Sequence, residues 1–251
     1  MDLNSDVLIA VAFILFFAAL IHGCIGFGFP MVATPLLALV TDIQTAIVLT
    51  LIPTILVNLV SIASEGNILY ALRYHLSLAL LAMVGSAIGT IILIFTNSHI
   101  FEALLGLVII TYLLSDKIKI NLSWVYSYPR LSKVVFGVSA GVLGGLTNVM
   151  APILIIYSLE SKHTKKETIQ ASNFCFMFGK VIQLVLFSIH GNFNLSELST
   201  SLIMLIIVSL ALYIGINFKK KINTNIYKRV LRVFLSILAI ILLVKVAYIQ
   251  A

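Results

Sequence analysis

Lys180 is the residue whose position most sharply implies chemistry. It stands about twelve residues into an apolar stretch, 168–189. An ammonium group near the middle of such a stretch costs roughly 2.5 to 3.5 kcal/mol to place in a bilayer, and it faces a partner or a watery path. No carboxylate occupies an apolar stretch at its depth, so a bound anion is the natural counter-ion; snorkelling of the long stem to an interface, or a deprotonated and structural lysine, is the competing reading. Gln183 follows at i+3 on much the same helix face. Asn58 becomes its counterpart if Ala46 is matched to Ala171. Both amides can donate to an oxyanion, or they can serve as interhelical hydrogen-bond glue.

Two glycine clusters offer a second kind of chemistry. Gly23-Cys24-Ile25-Gly26-Phe27-Gly28-Phe29-Pro30 and Gly141-Val142-Leu143-Gly144-Gly145-Leu146-Thr147-Asn148 each interrupt an apolar segment, and each is followed by a proline, Pro35 and Pro152. A half-helix starting near Pro30 or Asn148 inside the bilayer would present unpaired N–H groups and the positive end of its dipole, which attract anions. Gly26, Gly28, Gly144 and Gly145 would let backbone approach a solute closely, with tight helix packing as the alternative. Thr34, Thr147 and Asn148 stand beside the breaks, and Ser172 and Asn173 are weaker candidates of the same kind. His22 precedes the first break and is a candidate carrier of a coupling proton, or else a satisfied core residue. Gly85 and Gly89, at small-xxx-small spacing, read as packing. Cys24 and Cys175 have no CxxC or metal spacing and read as small apolar residues, so neither a metal nor a cofactor is expected.

The elements that must position these residues follow from composition. The 251 residues are 61% hydrophobic and 10% charged, with a mean hydropathy of +1.15. A soluble globule carries about a quarter charged residues. Apolar stretches lie at about 7–40, 43–63, 74–96, 99–115, 132–158, 168–189, 197–217 and 229–249, and none shows barrel-like alternation. The fold class is an all-α polytopic membrane protein. The first stretch would extend about 50 Å as one helix, and the Gly-Phe-Gly-Phe-Pro run interrupts it. The acidic N-terminus lacks the basic region of a signal peptide, so the first stretch is expected to be retained.

Charge decides between two topologies. Basic residues outside the stretches sit at Arg73; at Lys117, Lys119, Arg130 and Lys133; at Lys162, Lys165 and Lys166; and at Lys219, Lys220, Lys221, Lys228, Arg229 and Arg232. Eight single crossings would divide this charge between the two faces. If each glycine-broken segment instead enters and leaves on one face as a re-entrant hairpin, all four basic loops share a side, as the positive-inside rule requires. Each half is then a hairpin plus three crossings, and an odd number of crossings makes the halves inverted repeats. The N-terminal repeat is placed at 1–115, a cytoplasmic linker at 116–131 and the C-terminal repeat at 132–251. Kinked spanning helices are the alternative.

Gly26-Phe27-Gly28-Phe29 through Pro35, Asn58 in the next helix, and Gly141 to Thr147 through Pro152 resemble the sulfite exporter TauE/SafE family of membrane permeases, over essentially the whole chain. The resemblance implies passage of small sulfur-containing or organic anions, such as sulfite or sulfonates, through the bacterial cytoplasmic membrane. The expectation is a secondary transporter rather than an enzyme, with alternating access to a midplane site. A passive anion channel and a non-transport subunit of a redox or assembly complex are the alternatives. No phosphate-binding Gly-x-x-x-x-Gly-Lys loop is present for ATP, and no paired His or acidic residues lie inside the spans. The expected partners are a small anionic solute, the lipid bilayer and a homo-oligomeric copy. The basic run Lys219-Lys220-Lys221 reads as an orientation and lipid signal, with no nucleic-acid partner.

Overall fold

The computed structural model describes residues 5–96, 98–114, 122–191, 193 and 195–219, together with isolated helical positions 236, 240 and 244. Its described residues form helices α1 (Ser5–Ile25), α2 (Phe29–Val40), α3 (Ile43–Ser64), α4 (Ile68–Phe95) and α5 (Ser98–Leu114). The second series is α6 (Ser123–Ser127), α7 (Pro129–Thr147), α8 (Ala151–Glu160), α9 (Lys165–Ile189) and α10 (Leu195–Lys219). Five of them, in α1, α3, α4, α9 and α10, are long and apolar enough to cross a bilayer. The chain is an all-helical polytopic membrane protein. The 7–40 and 132–158 stretches each divide in two, as α1 with α2 and α7 with α8. The last stretch, 229–249, lies almost wholly outside the described residues, as does the 115–121 part of the linker.

Capping sets where the crossings start. Asp42 accepts from the Thr45 N–H at 3.0 Å and Asn67 from the Tyr70 N–H at 3.1 Å. Thr164 and Glu167 form a reciprocal capping box at the head of α9, the arrangement that satisfies two orphan N–H groups at once. The Asn67 cap starts α4 six residues ahead of the apolar run that begins at 74. Large apolar side chains such as Phe13, Ile203, Ile206 and Tyr213 point outward. In contrast, Thr50, Thr54, Asn58, Ser61, Lys180 and Gln183 are buried. This polarity is the reverse of a soluble protein's, and lipid is the solvent it fits.

Contacts between helix ends give the directions. Lys219 at the end of α10 pairs with Glu65 at the end of α3. A side chain on the adjacent Gly66 would meet Lys166 at the head of α9. His75 near the start of α4 lies 5.8 Å, centroid to centroid, from His163 in the loop before α9, and the Lys162 ammonium lies 4.4 Å over the Tyr126 ring of α6. Burial holds the His163 pKa below its usual value, with Glu167 opposing and Lys133 reinforcing the shift. The ring is therefore neutral at pH 7 and packs as an aromatic. The four segments that carry the basic loops thus meet at one end of the bundle. At the far end, Phe95 of α4 packs on His190 just after α9, at 5.3 Å. Hence α4 and α9 run away from the basic end, whereas α3 and α10 run toward it.

The broken segments return to the end they came from. Along α7, Gly137 faces Leu78 and Leu81 of α4, Gly141 faces Ala82 and Ser86, and Gly145 faces Ser86 and Gly89. The two helices therefore rise together from the basic end, to a level about 20 Å beyond His75 at 1.5 Å per residue. The chain then breaks, and α8 descends beside α7, with Tyr157 packed on Phe136 at 5.6 Å and on His163 at 5.6 Å. In the first half, Gly23 near the end of α1 abuts Gly215 of α10, close to the basic end, and α2 leads back to the uncharged junction at Asp42. The first helix of each half thus packs on the second crossing of the other half: α1 on α10, and α7 on α4.

One constant separation in sequence relates Gly23 to Gly145, Gly26 to Asn148, Pro30 to Pro152 and the caps Asp42 to Thr164. The match of Pro35 with Pro152 is therefore corrected: Pro30 and Pro152 both occupy the first turn of a half-helix, while Pro35 lies inside α2. The same register pairs Asn58 with Lys180 and Ser61 with Gln183, which replaces the pairing of Asn58 with Gln183.

The hairpin topology makes a direct prediction. With Cys24 and Cys175 replaced by alanine, the single variants Ser64→Cys and Lys165→Cys should react with a membrane-impermeant maleimide from one face of the membrane. Val40→Cys and His190→Cys should react from the other. Labelling of Ser64→Cys and Lys165→Cys from opposite faces would overturn the arrangement.

Candidate functional site

The first break is held by a histidine. After α1 ends at Ile25, Gly26 and Gly28 both adopt φ of +101°, a region that strains residues with a Cβ. α2 then begins with Phe29 and Pro30. The Phe29 N–H donates to His22 Nδ1 at 3.1 Å, and the other ring nitrogen, Nε2, lies 2.7 Å from Ser61 Oγ on α3. Because Nδ1 accepts, the neutral ring carries its proton on Nε2 and donates it to Ser61. His22 is completely buried. Of the N–H groups that α2 leaves unpaired at its start, Phe29's is taken by His22 and Pro30 has none, which leaves Met31. The first half-helix therefore has less to offer an anion than its position alone implied.

The second break differs. Asn148 adopts φ of 66° and caps the C-terminus of α7, its N–H donating to the Gly144 carbonyl. Its side-chain amide donates to Thr34 Oγ1 at 2.6 Å and to Thr50 Oγ1 at 2.8 Å, both in the first half. Thr147 Oγ1 donates to the Leu143 carbonyl and receives the Val149 N–H. The half-helix α8 starts at Ala151 with no side-chain cap. Of its first-turn donors, Pro152 is the one that lacks an N–H, so Ala151 and Ile153 can serve a ligand. The expectation that this half-helix begins near Asn148 is corrected: Asn148 ends α7, and α8 begins three residues later.

Gly144 and Gly145 serve packing here. A Cβ on Gly144 would overlap the Met150 side chain, and one on Gly145 would lie 2.6 Å from the Ser86 carbonyl oxygen and 2.8 Å from Gly89 Cα. Gly26 differs in its left-handed backbone, φ +101°, and its carbonyl oxygen accepts from the Asn173 amide of α9 at 2.7 Å. Each break is thus tied by an asparagine to the opposite half.

Lys180 is fully buried on α9. Its Nζ donates to Gln183 Oε1 at 2.5 Å, and Gln183 Nε2 donates to the Gly145 carbonyl oxygen at 3.3 Å. Neighbouring Gly179 lies against the Met150 side chain, at the head of α8. Lys180 therefore stands beside the second break. Among the described residues its recorded partner is this neutral amide, and no carboxylate lies within ion-pair range.

Asn58 and Lys180 each lie about 24 Å beyond the N-cap of their helix. Since α3 and α9 run in opposite directions, Asn58 lies toward the basic end and Lys180 past the middle, toward the uncharged end. Sequence reasoning passed over Thr50, Thr54 and Ser61, which with Asn58 form a buried polar stripe down one face of α3. Their spacing of four, four and three residues was the available signal. Several of these groups lack a hydrogen-bond partner among the described residues: both polar atoms of Asn58, and Thr54 Oγ1, Thr90 Oγ1, Ser172 Oγ, Asn148 Oδ1 and Asn173 Oδ1. Buried polar groups are nearly always paired, so these unpartnered atoms set this interior apart from an ordinary core.

Two interlocked re-entrant halves around a polar interior that holds a buried lysine define a membrane permease architecture. The family described as Sulfite exporter TauE/SafE matches residues 11–242. The chain belongs to that family of membrane transporters. No curated protein and no solved structure matches it.

The Asn148 turn can be tested by paired substitutions. Asn148→Gly keeps the left-handed backbone but removes two buried hydrogen bonds, and Asn148→Ala removes the bonds and adds backbone strain of about 1 to 2 kcal/mol. In detergent, both variants should melt below wild type, with Asn148→Ala several degrees lower still. Equal melting temperatures for the two variants would show that the backbone conformation is not what Asn148 supplies.

Proposed function

We propose that the chain is a secondary transporter for a small oxyanion, sulfite or a sulfonate-like organic anion, in the bacterial cytoplasmic membrane. The observation that carries this reading is Lys180: a buried lysine beside an uncapped half-helix N-terminus, with the neutral amide of Gln183 as its partner. A guest anion would supply the missing charge, because leaving an ammonium uncompensated in a low-dielectric interior is costly. The helix end adds N–H donors from Ala151 and Ile153 to the same guest.

The inverted halves supply a mechanism. One hairpin descends from the uncharged face and the other rises from the basic face, so each break faces a different side of the membrane. Relative movement of the packed units that these interlocked halves form would open the interior to each side in turn. The basic end faces the cytoplasm by the positive-inside rule. The membrane potential or a proton gradient drives the cycle. His22, with both ring nitrogens engaged, serves here as a clamp on the first break; carriage of a coupling proton would require it to release Phe29.

Proteoliposomes test the reading. Wild-type protein should take up labelled sulfite or a short sulfonate, and unlabelled anion on the far side should accelerate that uptake, as a carrier requires and a channel does not show. Lys180→Ala should lower uptake by a hundredfold or so, about the loss expected when one partner of a buried charge pair is removed. Unchanged affinity in that variant would remove Lys180 from the site.

A further inference from the structure

The geometry points to Asn58 as a specificity-determining contact that selects anions bearing a hydrogen-bond donor of their own. This inference rests on the transport reading and concerns a different residue from the one that carries it.

Asn58 is completely buried, and neither its Nδ2 nor its Oδ1 has a partner among the described residues. Among the described residues Asn58 is the amide that lacks a partner at both its nitrogen and its oxygen; Gln44 and Gln170 lack one at Nε2 alone, and the N–H groups of Asn148, Asn173 and Gln183 are committed. Asn148 Nδ2 donates to two threonines, Asn173 Nδ2 to two carbonyl oxygens, and Gln183 links Lys180 to Gly145. Asn58 holds the place on α3 that Lys180 holds on α9, and Ser61, one turn further, holds the place of Gln183. Ser61 is engaged by His22, however, and gives Asn58 no partner. Thr54, one turn earlier on the same face, has its hydroxyl unpartnered as well. The two halves therefore present an anion with different groups at equivalent positions: a cation near the uncharged end and an open carboxamide near the basic end.

A carboxamide offers two N–H donors and one carbonyl acceptor. A fully deprotonated oxyanion only accepts. It would satisfy the Nδ2 group and leave Oδ1 buried, unpaired and facing negative oxygens. An anion that also carries an O–H or N–H group satisfies both sides of the amide. Sites with a buried polar group awaiting its complement discriminate strongly against analogues that lack it.

The closest matched probes are ethanesulfonate and 2-hydroxyethanesulfonate, which share the sulfonate and differ by one hydroxyl. In proteoliposomes of the full chain, wild-type KM should be at least about tenfold lower for the hydroxylated anion, the effect of one satisfied buried hydrogen bond. Asn58→Leu should bring the ratio of the two KM values to about one. Asn58→Ser, whose hydroxyl both donates and accepts, should restore part of the preference. A wild-type ratio near one, or a tenfold ratio that persists in Asn58→Leu, would overturn the assignment. Should Asn58→Leu fail to elute as a folded species from size exclusion, the wild-type ratio and Asn58→Ser decide alone: with a preference in wild type, an unchanged ratio in Asn58→Ser refutes the contact and a reduced one supports it. Absence of any uptake of sulfite or either sulfonate by wild type would instead overturn the transport reading, and Asn58 with it.

Discussion

Backbone that leaves the helix inside hydrocarbon must find its hydrogen bonds within the protein, because lipid supplies none. The two breaks of this chain meet that constraint in a way that determines the rest of the fold. At the first, His22 receives the Phe29 N–H and the Gly26 carbonyl oxygen accepts from the Asn173 amide. At the second, Asn148 turns the chain in the left-handed region and anchors itself to Thr34 and Thr50. In both cases a group from one half satisfies or fixes a group of the other, so neither hairpin is complete alone. The glycine seams serve the same end. Gly23 against Gly215, and Gly85, Gly89, Gly141 and Gly145 between α4 and α7, bring backbones too close for any side chain. That locks each hairpin to a crossing of the opposite repeat.

Interlocking also constrains how the protein can move. If α1 rides on α10 and α7 on α4, a rigid unit of the cycle contains pieces of both halves, and the sequence repeat is not the moving body. The candidates for relative motion are then the hairpin tips and the α3–α9 seam, where unpartnered polar groups concentrate. Thr54 and Asn58 on one side, and Ser172 and Asn173 Oδ1 on the other, form fewer protein bonds than their burial would ordinarily allow. A seam held by few fixed hydrogen bonds can open and close at lower cost than one stitched by a saturated network.

Much of this architecture was legible in the sequence, because the membrane imposes long apolar runs, and Gly, Pro and basic residues punctuate them. The hairpins followed from the loop charges, and the contacts Lys219 to Glu65, His75 to His163 and Lys162 to Tyr126 bring those loops together. The register between the repeats was not legible. Pro35 and Pro152 stand at similar distances from glycine-rich runs, and only the half-helix starts show that Pro30 is the true counterpart. Nor could the sequence separate glycines that pack inside a helix, such as Gly144 and Gly145, from one that turns the chain in the left-handed region, such as Gly26. That distinction depends on where each helix ends and which helix lies opposite. The threonines and Ser61 of α3 were missed because short hydroxyl side chains are unremarkable in an apolar helix; their common face matters only once α3 is known to be buried.

The register correction changes what the pseudo-symmetry means for the solute. Pairing Asn58 with Gln183 would make two similar amides, hence two similar stations. Pairing Asn58 with Lys180 makes the halves chemically unequal at the place where they are geometrically most alike. A perfectly symmetric carrier would hold its guest equally well facing either side. Here Lys180 lies toward the uncharged end and the neutral amide of Asn58 toward the basic end, so on the proposed transport reading a bound anion would be stabilised unequally along its path. The hairpins differ in the same sense. The first spends its leading N–H on His22, whereas the second leaves two N–H groups free beside Lys180. On the proposed transport reading, an inverted repeat that keeps its fold while shedding its chemical symmetry would set a preferred resting place for the anion, next to the second break.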